Sequence, residues 1–354
     1  MNDFNRQYNF NNFSMNMAYN EHLKQAQKKE KKSLVRSASI LGALLVFYDI
    51  FINAFGYVFY FVFVSVKTSH ITLSRDRVEE FFVQNPHYEN SSAFAMAYSA
   101  FVVIMAFIVI MLVARFVFRI RLSHLFRYEK GFAKTAVISF PAVMLVNLAL
   151  SFAIGIFTLI MSENGITVPE ADFSISEVSK SAFFFQIFYG VIVAPIVEET
   201  LYRGLAIHLL KPYGKGMAVI VSSLIFGLMH GNLSQAASAF AIALVMGTIT
   251  VQCNSIIPTI IIHMLNNITA TIPDFSDVMG NDFVYGIYTG IIILSLVLGT
   301  LVIFAYHKKI ALPKDENCVN PTSKRYRYAM LNIPMIIYWC TIAYTFIKSF
   351  IQAN

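Results

Sequence analysis

The sequence predicts an all-α protein that crosses the membrane many times, as a bundle of about eight or nine transmembrane helices. Hydrophobic residues make up 57% of the 354 residues, charged residues make up 13%, and the mean hydropathy is +0.61. Soluble globular proteins usually carry about 25% charged residues, so the composition excludes that class. Apolar runs of about 20 residues, the length needed to cross a bilayer, recur along the chain. These observations predict a polytopic membrane protein.

Nine apolar stretches are candidate spans. In chain order they are residues 37–66, 93–114, 133–161, 182–210, 216–230, 235–252, 256–272, 284–306 and 329–350. Most of them reach spanning length. The short stretches between 216 and 272 leave a re-entrant segment open, and the predicted count is therefore eight or nine.

The charges between these stretches alternate in sign. Lys and Arg outnumber Asp and Glu by seven to three in residues 1–36, by six to one in 115–134 and by six to two in 307–328, whereas residues 67–92 hold three against four. Basic segments stay on the cytoplasmic side, so the N-terminus is predicted to be cytoplasmic in a multi-pass protein of the cell membrane. The net charge of +7 thus reflects topology and not a nucleic acid partner.

The chain divides into four predicted parts. Residues 1–36 form a polar cytoplasmic tail that is expected to be flexible or to lie on the membrane surface. Residues 37–181 hold the N-terminal transmembrane helices, 182–272 a core that carries the motifs, and 273–354 the C-terminal transmembrane helices. No internal repeat or Gly/Ser linker is visible, which favours one membrane domain.

Two adjacent glutamates and an arginine lie in the fourth apolar stretch. A carboxylate at the centre of a membrane helix costs about 2.5–3.5 kcal/mol, and such groups mark functional sites by default. Glu199 and Arg203 are four residues apart, so they share a helix face and are predicted to pair. Glu198 lies about 100° around the helix from Glu199 and is the candidate general base. The alternative is that both glutamates only hold helices together.

Asp49 is the third acidic residue inside the predicted spans. It has no partner visible in the sequence. We expect it to be structural, bonded to a hydroxyl or a basic group on a neighbouring span.

Two histidines lie in later apolar stretches. Phe226 precedes His230 by four residues and Asn267 follows His263 by four, so each pair shares a helix face. A single intramembrane histidine serves equally well as a hydrogen bond between helices. The glutamates and histidines come from three separate spans, however, and we expect them to converge in the bundle interior, where each polar group supplies a partner for another.

This set of side chains favours hydrolysis of a peptide bond. Glu198, held in a partly dry site, would take a proton from water. His263 and the side-chain amide of Asn267 would stabilise the oxyanion that develops on the attacked carbonyl. Nucleophilic catalysis is disfavoured, because no serine lies in a GxSxG elbow and the three cysteines have no neighbouring histidine.

A zinc site is an alternative that the residues leave open. His230, His263 and Glu198 would supply three ligands and water the fourth. The HExxH motif of the zincins is absent. The sequence therefore predicts either no cofactor or zinc.

The order of the motifs resembles a known family. EExxxR at Glu198, FxxxH ending at His230 and HxxxN opening at His263, on successive late helices, are similar to the motifs of the CPBP family of intramembrane proteases. This family embraces type II CAAX prenyl proteases and the bacteriocin-processing or immunity proteins of the Abi domain. The resemblance covers about residues 182–272.

The resemblance implies a role for each matching residue. Glu198 would be the general base, His230 its partner in holding the water, and His263 with Asn267 the oxyanion-binding pair. Glu199 and Arg203 would be the second acid and a structural arginine, with Phe226 supporting the site. Members are labelled metalloproteases, and a metal-free glutamate mechanism is also argued for the fold.

The sequence thus predicts an intramembrane endopeptidase that cleaves a membrane-associated or exported peptide or protein. One alternative is a non-catalytic membrane partner, such as an immunity protein or a regulator of a sensor or export system. A proton-coupled transporter is a weaker alternative, because no inverted repeat is visible.

Overall fold

The computed structural model describes the backbone of residues 2–169 and 180–354. Within these two ranges every regular element is a helix and none is a strand. In lipid a backbone must satisfy its own hydrogen bonds, and a helix does so within one segment. The predicted all-α fold class is confirmed.

Eleven helices longer than two turns make up the described part of the chain. They are α1 Asn2–Thr68, α2 Arg75–Gln84, α3 Ser92–Val117, α4 Phe132–Glu163, α5 Ser181–Tyr213, α6 Lys215–Leu228, α7 Leu233–Cys253, α8 Ile257–Met279, α9 Asp282–Ile310, α10 Thr322–Met330 and α11 Ile333–Ala353. Each of the nine stretches that the hydropathy selects falls mainly in a helix, although 329–350 also crosses the bend at Leu331 and Asn332.

Seven of the described helices are long and apolar enough to span a membrane: α1 over Ala18–Thr68, α3, α4, α5, α7, α9 and α11. The helix α6 is apolar but has only 14 residues, which rise about 21 Å. The protein is a multi-pass membrane protein.

The N-terminal tail is helical. Residues 2–36, expected to be flexible or surface-lying, continue α1 without a break. Glu30 accepts hydrogen bonds from the backbone of Val319 (3.2 Å) and Asn320 (2.6 Å), and the Asn320 amide donates to the Gln27 carbonyl at 2.9 Å. Lys, Gln and Glu are also good helix formers. The tail is thus attached to the segment that follows α9; the side chains before residue 18 lie outside the described part.

The main hydrophobic core surrounds α5. Leu201 and Leu205 of α5 are buried, and so are Leu41 of α1, Ile225 of α6 and Tyr338 of α11. At Gly42 the helices α1 and α11 come so close that a Cβ atom would lie 2.7 Å from the Met335 nitrogen. This packing places the glutamates of α5 inside the bundle.

A polar network holds the turn between α5 and α6. Arg325 of α10 is buried and donates to the Tyr213 carbonyl at 2.7 Å and to the Asp315 carboxylate at 2.8 Å. The same carboxylate accepts from the backbone of Gly216 (2.7 Å) and Met217 (3.3 Å) at the start of α6. The network therefore fixes the direction in which α6 leaves α5. The helix α6 in turn leads to His230.

Candidate functional site

The helix α5 is wound unevenly around the candidate site. It contains two π-helical segments, Ile187–Val193 and Glu199–Ala206, on either side of a short α-helical piece that holds Pro195 and Glu198. A π segment widens the turn and is found frequently at functional sites. Here the second π segment begins at Glu199.

Glu199 and Arg203 form a fully buried ion pair. An Nη1–Oε1 distance of 3.2 Å joins them, and both side chains are 0% exposed. The Arg203 guanidinium also lies 3.9 Å from the centre of the Phe226 ring, and its Nη2 lies 4.0 Å from the Met246 sulfur. The cation thus rests on an aromatic face, a favourable contact in a desolvated site. The spacing in the sequence predicts this pairing.

His263 lies between the two glutamates. Its Nδ1 is 3.0 Å from Glu199 Oε1, and its Nε2 is 3.8 Å from Glu198 Oε2. An ionised carboxylate only accepts hydrogen bonds, so Nδ1 carries the proton that it donates to Glu199. The Nε2–Oε2 distance exceeds that of a direct hydrogen bond and suits a bridging water. Glu198 is 20% exposed, in contrast to Glu199.

His230 joins the site through Phe226. Its Nδ1 lies 2.9 Å from the Phe226 carbonyl oxygen and 3.3 Å from that of Gly227. Carbonyl oxygens only accept, so Nδ1 bears the proton, and a neutral His230 presents Nε2 as an acceptor. The ring of Phe226 meets the rings of His230 and His263 edge-on, at centroid distances of 5.2 and 6.0 Å. The phenyl ring therefore positions both imidazoles.

Asn267 donates one of its side-chain amide hydrogens to the protein backbone. Its Nδ2 donates to the Gly190 carbonyl at 2.7 Å, within the first π segment of α5. A side-chain amide has two N–H donors. One donor of Asn267 thus fastens α8 to α5.

Asp49 lies apart from this set, on α1, where its carboxyl interacts with the Thr341 hydroxyl of α11. A hydroxyl on a neighbouring span is one of the partners that the sequence predicts for it. The pairing joins the first and last spans.

Zinc ligation at the site concerns His230, His263 and Glu198. Among the described residues, which include both histidines and both glutamates, no group of three or more His, Cys, Asp or Glu side chains is placed to hold a metal ion. The Nδ1 atoms of His230 and His263 are committed to oxygen acceptors, so Nε2 is the nitrogen that each ring leaves for another partner.

Three further residues at the site are not predicted from the sequence. The ring of Tyr202 lies 5.4 Å from that of Phe226, Met246 contacts the Arg203 guanidinium, and Gly190 accepts from Asn267. Tyr202 could have been found, because it is adjacent to Arg203. The other two carry no signal, since their roles depend on how α7 and the first π segment pack.

Comparison with protein families identifies the segment that holds the site. Residues 180–269 match the model of the family described as Type II CAAX prenyl endopeptidase Rce1-like. The match runs from the start of α5 to Thr269 in α8 and includes every predicted site residue. It confirms the resemblance that the motifs predict and identifies this segment as a protease-family domain. No curated protein and no solved structure gave a significant match.

Proposed function

Because residues 180–269 form a type II CAAX prenyl endopeptidase Rce1-like domain, we propose that the protein is an intramembrane endopeptidase in which Glu198 activates the attacking water. Its substrate is a membrane-associated or exported peptide or protein. The family description makes a peptide with a prenylated CAAX terminus the first class of substrate to try.

The observation that carries this proposal is the unequal setting of the two glutamates around His263. Glu199 is buried and neutralised by Arg203, whereas Glu198 is partly exposed and faces His263 across 3.8 Å. A general base must reach water and must not be tied up in an ion pair with arginine. Glu198 meets both conditions.

The reaction needs only water and side chains of this chain. Glu198 takes a proton from water as the water oxygen bonds to the carbonyl carbon, and it later gives that proton to the departing amine nitrogen. His230 presents Nε2 as an acceptor that holds the water, and His263 is held by the buried Glu199. The second N–H of Asn267 donates to the oxyanion.

A comparison of membrane peptides tests the proposal. Cells that carry the wild-type protein, Glu198→Gln or His230→Ala at matched membrane levels are compared for peptides and trimmed membrane proteins. The amide of Glu198→Gln is nearly isosteric but takes no proton, so a product should be present with wild type and reduced at least about 100-fold in both variants.

Asp274→Asn is the matched control for this comparison. It also neutralises a carboxylate on α8, the helix that carries His263, and Asp274 accepts from Gln186 at 3.1 Å, a bond that asparagine can keep. The control should retain the product. If no product depends on the wild-type protein and both variants rescue a deletion phenotype, the cluster is structural and the protein is a non-catalytic membrane partner. Loss of the product on chelation would contradict the metal-free mechanism.

A further inference from the structure

The connection between α3 and α4 is strongly basic. Residues 115–134 hold six Lys or Arg and one Glu. All six basic side chains are exposed: Arg115, Arg119, Arg121, Arg127, Lys130 and Lys134. The spans that flank this connection are apolar, so the charge is confined to one edge of the membrane.

Large apolar side chains are interleaved with these charges. Phe116 is 72% exposed and Tyr128 60%, and Val117 and Phe126 are exposed as well. Aromatic side chains collect where the hydrocarbon meets the headgroups. Exposed rings among exposed cations match a membrane interface better than they match water.

The connection is a fixed surface and not a loose loop. Leu122 and Leu125 are buried in the core. The Leu125 carbonyl accepts from the Ser255 hydroxyl and from the Ile256 nitrogen, each at 3.0 Å. Its cations are therefore held in place at the point where α8 begins.

Neighbouring elements add polar groups to the same edge. The rings of His124 and His208 lie 5.4 Å apart, and Lys211 at the end of α5 donates to Asn254 at 2.8 Å. Gln252 is hydrogen-bonded to the Lys309 carbonyl at the end of α9. The basic edge thus extends beyond one connection.

We propose that residues 115–134 form a binding surface for the phosphate headgroups of anionic phospholipids. Both ends of this surface continue into membrane spans, so lipid headgroups are its immediate neighbours. The cations provide charge complementarity, and the exposed rings of Phe116 and Phe126 provide contact with the upper acyl chains. The inference does not depend on the proposed protease activity.

Lipid titration of the full chain tests this surface. The protein in neutral detergent is titrated with fluorescent phosphatidylglycerol, and binding is followed by fluorescence polarisation, with phosphatidylcholine as the neutral probe. One basic residue near an anionic surface strengthens binding about fivefold. The triple variant Arg119→Gln, Arg121→Gln and Arg127→Gln should therefore bind phosphatidylglycerol about 100-fold more weakly.

A triple variant of the acidic connection is the control. Lys67→Gln, Arg75→Gln and Arg77→Gln remove the same charge from exposed positions in residues 67–92. This control should bind phosphatidylglycerol like wild type. Binding by the first variant within threefold of wild type, or an equal loss in the control, would overturn the inference. Displacement of the lipid by inorganic phosphate at constant ionic strength would instead assign the surface to free phosphate.

Discussion

At the residue scale, two adjacent glutamates have opposite surroundings. Glu199 lies on the buried side of α5, where Arg203 and His263 both contact its Oε1. Glu198 is 20% exposed and lies 3.8 Å from the far nitrogen of His263. Because the burial of an unpaired charge is costly, the inner glutamate needs the arginine, and the outer one can be left available.

The buried pair leads to a prediction about Arg203. Arg203→Ala leaves Glu199 as an uncompensated buried charge and should lower the free energy of unfolding by about 3–5 kcal/mol. The double variant Glu199→Gln and Arg203→Met removes both charges, keeps an acceptor for His263 and should recover most of this loss. Denaturant unfolding in mild detergent measures both. Equal destabilisation of the two variants would argue against a charge effect.

Part of the site can be predicted from the sequence because part of it is local. The Glu199–Arg203 pair follows from a spacing of four, and the intramembrane glutamates and histidines stand out in an apolar background. The bond from Asn267 to Gly190 joins residues 77 apart. This bond depends on a π segment that no residue pattern predicts. The use of one Asn267 N–H donor in it could therefore not be predicted from the sequence.

At the element scale, apolar runs determine helices because the membrane leaves few alternatives. The nine stretches became helices since a span must satisfy its backbone internally. The contacts of the N-terminal tail could not be predicted, because its polar composition shows no buried face. The tail is held by the hydrogen bond that Glu30 accepts from the backbone of Asn320, 290 residues further along the chain. A long-range contact of this kind has no local signature.

The start of α6 gives a prediction for an element. Gly214 precedes α6 with φ at +141° and has no side chain for capping, so Asp315 from a distant segment caps the helix. Asp315→Ala removes the cap and strands the buried Arg325, and should cost about 2–4 kcal/mol of unfolding free energy.

Glu316→Ala is the control for this element. Glu316 pairs with Lys215 at 3.9 Å with both side chains exposed, and such pairs contribute little. Its change in unfolding free energy should stay within about 0.5 kcal/mol. If both alanine variants are equally stable, the cap and ion pair of Asp315 do not hold the turn.

At the scale of the whole molecule, helices outside the matched segment enclose the site helix. The first span α1 and the last span α11 contribute Leu41, Leu45 and Tyr338 to the core that buries α5. They also meet through Asp49 and Thr341. The matched segment is therefore packed within a larger bundle, and we expect its stability to depend on contacts between the two ends of the chain.

Gly42 offers the most direct test of that dependence. A Cβ atom there would lie 2.7 Å from the Met335 backbone nitrogen, so Gly42→Val must push α1 away from α11. Overpacking of this kind costs about 1–3 kcal/mol, and the apparent Tm in detergent should fall by several degrees. Gly155→Val is the control, because no atom lies within 4 Å of the Cβ position at this glycine of α4. Both variants introduce the same β-branched side chain into a helix, so propensity cancels and the difference in Tm isolates the contact between the chain ends. Equal Tm values would mean that the two ends are not coupled through this contact.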